Sequence, residues 1–334
     1  MPGPNTPRRR VLGILAAAPG FLLPSRSGLA QAGAPLATWT GPVLGGLGRI
    51  TLHHPDPAAA ERLIAAALAE IRRLEAMFSL WLADSLLSEL NRRGVLVAPP
   101  PEMVELLACA LAVATATNGA FDPTVQPLWN LYAAHFGARN ADPAGPASAA
   151  LAEALGHVGH RNLRVSPDRV LLTRRGMALT LNGIAQGFVT DRVVALLRAG
   201  GVAHTLVDLG EARTIGAQHD GQPWRARLGD PETLNGSWSE VDVTDRALAT
   251  SSDFGFVFDP AGRFTYLLDP RIGRCPRLHR AVSVLAREAV LADALSTAFA
   301  LMPEHDIMQA LHSMPGVDVH LLRHDRSTAR LGAA

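Results

Sequence analysis

The sequence predicts an α+β fold, in which mixed sheets carry packed helices. Three observations point there. Helix-spaced apolar runs and short β-rich runs fall into clusters instead of alternating strictly along the chain. No internal repeat stands out. Behind an N-terminal leader about 300 residues remain, enough for one large domain or two intimate ones.

The leader spans residues 1–32. Arg8-Arg9-Arg10 precede an apolar run over 11–23, and small residues follow up to Ala30-Gln31-Ala32. Pro19, Gly20 and Pro24 break the run, which is too short to span a bilayer as a helix. The adjacent arginines point to the twin-arginine route, with a plain secretory signal as the alternative. The mature protein, 33–334, is then expected in a bacterial periplasm. No cysteine follows the run to take a lipid, so a soluble protein is expected.

The elements follow in order. Residues 41–53 read as a glycine-rich strand or strand pair. Residues 57–78 carry apolar positions at helical spacing behind Asp56, a natural N-cap. Residues 85–91 form a short helix and 103–116 a longer one, followed by an Ala/Pro/Asp linker over 140–149. A hairpin is expected around Arg174-Arg175-Gly176 (170–181), then a helix over 184–198 that stops at Gly200-Gly201. Strands are expected at 205–209, 213–217, 224–228, 247–251, 254–258, 264–268 and 281–286, and helices at 289–301 and 304–313.

Composition excludes several classes. The net charge of +1 and 5% aromatic content leave no electrostatic footprint for nucleic acid. The chain contains no lysine, which removes P-loop, Schiff-base and pyridoxal chemistry. Cys109 sits in an apolar helix pattern and Cys275 in a loop, so a disulfide is not expected, and neither has metal-ligand spacing.

Four clusters carry the chemistry. Thr117-Asn118-Gly119-Ala120-Phe121-Asp122-Pro123-Thr124 is stiffened by glycine and proline, and reads either as a ligand-facing loop or as a well-capped helix end. Asn182-Gly183-Ile184-Ala185-Gln186-Gly187 opens a helix. Its N–H groups suit phosphate and its glycines allow close approach, although glycine at such a turn is common. Tyr266-Leu267-Leu268-Asp269-Pro270 fixes Asp269 in a turn, which can equally be ordinary punctuation. Asp293 and Thr297 lie four apart in an otherwise apolar helix, either as a hard-oxygen corner for Mg²⁺ or as an aspartate complementing the helix dipole.

In this order the four clusters, with Phe78-Ser79 and Ser88-Glu89 upstream, resemble the ApbE family of FAD:protein FMN transferases over residues 41–302. The resemblance implies a single ApbE-like, T-fold-related flavin-transferase domain. It implies Mg²⁺ as cofactor and FAD as substrate, with FMN passed to a Ser or Thr hydroxyl of a partner flavoprotein and AMP released. By position, the metal falls to Asp293, Thr297 and the Ala185 carbonyl. FAD falls to Ser79, Phe121, Asp122, Thr124, Asn182, Gly183, Gln186, Gly187, Gly210 and Glu211.

Three positions depart from the family pattern. Gln186 stands where the family usually has lysine, and Gly210-Glu211-Ala212 where it often has Gly-Gly-Asp. Tyr266 replaces the histidine thought to assist the acceptor hydroxyl, and a phenol with a pKa of about 10 is a poor base. Asp269, or an acceptor hydroxyl whose pKa Mg²⁺ lowers, is the substitute expected beside Tyr266. Gln186, the run from Gly210 to Arg213 and the signal are similar to the NosX-like branch of nitrous-oxide respiration, whose acceptor is a NosR-type membrane iron–sulfur flavoprotein. Two rival readings share the pattern: a hydrolase splitting FAD into FMN and AMP, and a non-catalytic periplasmic FAD carrier.

Overall fold

The computed structural model describes residues 20–21, 35–218, 220–229 and 236–332. The expected signal lies outside the described residues except for Gly20–Phe21 (β1), which pairs with Ala226 and Arg227.

Eight antiparallel strands form the main sheet: β2 (Leu36–Val43), β3 (Gly46–His53), β7 (Thr205–Asp208), β8 (Ala212–Ile215), β11 (Ala247–Ser252), β12 (Ala281–Ala286), β13 (Asp318–Leu322) and β14 (Thr328–Gly332). Their spatial order is β14-β13-β12-β11-β8-β7-β3-β2. A second sheet pairs β1 with β9 (Arg225–Gly229) and β10 (Ser237–Asp242), and a third orders β4 (Val95–Val97), β6 (Arg169–Leu172) and β5 (Leu163–Val165) as β4-β6-β5.

The helices are α1 (Pro57–Phe78), α2 (Leu86–Arg93), α3 (Pro101–Ala116), α4 (Gln126–Gly137), α5 (Ser148–Leu155), α6 (Ala185–Ala199), α7 (Ala289–Ala300) and α8 (Glu304–Leu311). Local chemistry sets their ends. Asp56 accepts from the Ala58 N–H, Ser85 caps α2 through the Ser88 N–H, and Gly94 ends α2 in the left-handed region at φ 73°. Helix α1 buries Ala60, Ala67, Ile71, Leu74 and Phe78, one stripe at helical spacing.

Strands β11 and β12 are buried at every position. Helix α7 packs on both of them. Leu248 and Leu285 join Ala226, Leu228 and Val241 of the second sheet, with Val243 just after it, in a separate core cluster. Two-sided burial explains why these strands read as continuous runs of small and apolar residues without alternation.

Several expectations change. The 170–181 hairpin does not form; β6 pairs instead with β4 and β5, and 177–181 carries no strand. Residues 254–258 and 264–268 are not strands but an irregular loop with one bridge between Val257 and Thr265, where phenylalanines pack against α4. An additional helix, α4, carries Pro127 in its first turn, where the missing N–H has no partner to lose. Helix α5 lies partly within the expected linker, and β4, β5, β10, β13 and β14 were not expected. Cys109 and Cys275 are both unpaired thiols, as expected. No described helix is long and apolar enough to cross a membrane.

Candidate active site

The site forms where the start of α6 meets α7. A Cβ on Gly187 would lie 2.3 Å from the Ala289 carbonyl oxygen, and one on Gly183 would lie 2.8 Å from Thr297 Oγ1. These glycines, expected to admit a ligand, are required first to admit α7. The close approach lets the Gly187 N–H donate to Asp293 Oδ2 at 3.0 Å, so the α6 N-terminus faces the buried carboxylate. Asp191, further along α6, fixes α7 in return. Its two oxygens accept from the Ala289 and Val290 N–H groups at 2.9 Å each, and it pairs with Arg213. Asp191 carries the cap that Glu288 does not supply.

A cavity of about 100 Å³ opens between these elements. It brings together the predicted metal residues Asp293 and Thr297 with Asn182, Gly183 and Gln186 of the turn. Phe121 and Asp122 of the loop, with Glu211 and Tyr266, complete the predicted residues on its wall. A second cavity of about 340 Å³ shares Trp129, Asn182 and Gln186 with the first and takes in Ser79 and Ala185. Its walls are aromatic, with Phe78, Trp81, Trp129 and Phe256. Trp81 and Trp129 meet edge-on at 6.4 Å, and Trp129 lies 6.0 Å from Phe256. The cleft therefore joins a flat apolar chamber to an acidic end.

Electrostatics mark the acidic end. Asp293 and Glu211 are each 3% exposed. Burial, and then the nearby charge of Asp191, pushes Asp293 up to about 7 against the Gly187 N–H. Glu211 is raised well above the ordinary glutamate range, first by burial and then by the negative charges of Asp293 and Asp208. Asp208 is itself pushed up to about 6 by burial. Glu211 Oε2 has no hydrogen-bond partner. Buried carboxylates without a basic partner are costly, and a divalent cation among hard oxygen donors relieves that cost. The residues present therefore fit such an ion, with Asp293 and Thr297 as side-chain donors; no group of three or more acidic, histidine or cysteine ligands exists among the described residues.

Four predicted residues support the cavity without lining it. Asp122, which does line it, has both oxygens occupied internally. Oδ1 takes the Thr124 N–H and hydroxyl, and Oδ2 takes the His160 N–H with His160 Nδ1 at 3.0 Å. Thr124 Oγ1 also accepts from the Gly159 N–H at 2.7 Å, so Thr124 latches the loop to the segment before β5. Gly187 serves α7, and Gly210, at φ 104°, lies under the Gln186 amide, which donates to the Leu209 carbonyl. Asp269 is clamped by Arg271, whose Nε, terminal nitrogen and backbone N–H all donate to it, while the same guanidinium holds the Leu301 carbonyl at the end of α7. In this arrangement Asp269 is a strut and not a poised base. Tyr266 is pushed up to about 12 by burial and by the Glu211 and Asp293 charges, against hydrogen bonds from Ser252 and Ser251, so its phenol stays protonated, keeps a proton to donate and is no base.

Sequence reasoning missed Asp191, His160 and the aromatic chamber. The chamber had a signal: Phe256, on its wall, stands among phenylalanines at 254, 256 and 258 in a chain poor in aromatics. Asp191 had none, since the α7 N–H groups that it caps lie about a hundred residues away.

An antiparallel sheet, two packed helices and a cleft running from aromatic to acidic suit a ligand with a flat ring at one end and anionic oxygens at the other. The sequence model of the ApbE family matches residues 44–321, and the chain belongs to that family. It is 31% identical over 314 residues to an FAD:protein FMN transferase of Treponema pallidum, covering 85% of this chain and 83% of that protein. A protein of the same description from Klebsiella pneumoniae is 27% identical over 293 residues, 84% of this chain and 83% of its own. The solved apo flavinyl transferase ApbE of Pseudomonas stutzeri superposes with a TM-score of 0.79 at 26% identity, covering 91% of this chain and 96% of that one.

Proposed function

We propose that this protein transfers FMN from FAD to a Ser or Thr hydroxyl of a partner flavoprotein, releasing AMP, with Mg²⁺ as the cation. The observation that carries the reading is the Asp293–Glu211 pair, buried without a basic partner at the end of an aromatic cleft beside the α6 N-terminus. The aromatic chamber takes a flat ring by stacking. The turn before α6 brings Asn182 and Gly183 to the cavity wall beside the helix N-terminus, where a diphosphate would be held.

The acceptor oxygen bonds to the FMN phosphorus, and the bond from that phosphorus to the bridging oxygen breaks. AMP carries that oxygen away, and the hydroxyl proton passes to water or to the departing AMP phosphate. Asp293, Thr297 and the Ala185 carbonyl would hold the cation, which would supply charge neutralisation on the phosphoryl oxygens. Tyr266, protonated, donates to an oxygen on which charge grows, and Gln186 offers an amide donor where the family usually has a cation. The loop latched by Asp122 and Thr124 holds Phe121 on the cavity wall.

The basic and apolar pattern of 8–32 supports export by the twin-arginine route and a periplasmic acceptor. Gln186 and the Gly210 to Arg213 run support an acceptor of the membrane iron–sulfur flavoprotein kind used in nitrous-oxide respiration. The test is AMP release from FAD with added acceptor, in chelator and then with Mg²⁺ restored. Cation-dependent AMP that requires acceptor supports transfer. AMP at the same rate without acceptor marks a hydrolase, and bound FAD with no AMP marks a carrier.

A further inference from the structure

Glu211 is a buried carboxylate with one oxygen that no protein group satisfies. It opens β8 behind Gly210, with its peptide fixed by the Thr190 hydroxyl donating to its carbonyl at 3.2 Å. That anchoring sets where the side chain goes. The backbone of Thr250 hydrogen-bonds to the carboxyl, while Oε2 is buried and partnerless. Glu211 lines the same small cavity as Asp293 and Thr297. The charges that act on it are those of Asp293 and Asp208, both negative. No lysine exists in the chain to approach it. Arg213, two residues on, is committed to Asp191.

An acidic residue in this state either stays protonated or meets a cation from outside. Aimed into a cavity that already carries a carboxylate and a hydroxyl, it has the oxygen chemistry and charge of a ligand for a hard divalent ion. We infer that the Glu211 carboxylate is a direct ligand of the divalent cation, making with Asp293 a two-carboxylate site. The inference rests on the cation reading of the Asp293 site and adds a donor to it. A second carboxylate offsets the missing lysine at 186 differently from a basic residue: it tightens the hold on the ion and leaves the substrate's charge to the ion itself.

The test uses the full chain and Mn²⁺ alone, titrated by electron paramagnetic resonance and by the shift in melting temperature. Wild type is expected to bind Mn²⁺. Glu211→Gln is expected to weaken that binding by about tenfold or more, as loss of one charged ligand does. Without metal, Glu211→Gln should melt no lower than wild type, because it removes an unpartnered buried acid. Glu211→Ala provides the same affinity measurement if the amide disturbs folding. Mn²⁺ affinity within twofold of wild type in both Glu211 variants, with Asp293→Asn strongly weakened, overturns the inference and leaves the Asp293 site standing. Equal affinity in Asp293→Asn, or no Mn²⁺ binding by wild type, overturns the underlying reading as well.

Discussion

Replacing Asp191 by alanine should loosen the active site without touching it. The carboxylate accepts two backbone N–H groups at the start of α7, each at 2.9 Å, and pairs with Arg213. Hydrogen bonds to a charged group contribute about 1.5–3 kcal/mol each, and stripping one partner from a buried ion pair costs about 3–5 kcal/mol. These losses overlap, because burial already pushes the Asp191 pKa up despite its partners. A net cost of about 4 kcal/mol follows, or roughly 10 °C in melting temperature for a domain of this size. Asp293 lies on the second turn of α7, so the shift should also weaken cation binding. Urea unfolding and a Mn²⁺ titration check both. A loss under about 1 kcal/mol with wild-type Mn²⁺ affinity would refute the claim that Asp191 anchors α7.

Three further outcomes are expected. Gly187→Ala drives a Cβ to 2.3 Å from the Ala289 carbonyl oxygen, and overpacking against backbone should cost about 3 kcal/mol, read by thermal melting. Asp122→Asn turns an amide donor toward either the Thr124 or the His160 donors and should cost about 2–3 kcal/mol while weakening FAD binding measured by fluorescence. In metal-free protein, Asp293 titrates at about 7 when folded and near 3.8 when unfolded. The folded state therefore holds a proton that the unfolded chain releases. This contribution to stability is fully present below about pH 4 and is lost as pH rises through 7. Denaturation from pH 5 to 8 should show a falling midpoint in wild type that is flatter in Asp293→Asn; parallel profiles would contradict the assignment.

Elements with local signals were legible in the sequence. Asp56 and Pro57 announced α1, Ser85 announced α2, and the apolar run at 281–286 announced β12. What failed depended on distant partners. Residues 177–181 looked like half of a hairpin because only β6 was visible; its true neighbours, β4 and β5, come from elsewhere in the chain. The phenylalanines at 254–258 have strand propensity, but Phe256 is used to wall a cavity with Trp129 and Phe258 packs on the same ring. The clusters around Asp122, Gly183, Tyr266 and Asp293 did converge on one cleft. Their division of labour was not legible. That Asp122 and Asp269 spend their oxygens on His160 and Arg271, and that Gly187 admits a helix, can be seen only once the chain is folded.

The most direct measurement is the intact mass of an acceptor flavoprotein domain after incubation with this protein, FAD and Mg²⁺. The account predicts a gain of one FMN per acceptor, matched by one AMP, and abolished in Asp293→Ala. An unlabelled acceptor beside free FMN and AMP, or labelling that survives Asp293→Ala, would contradict it.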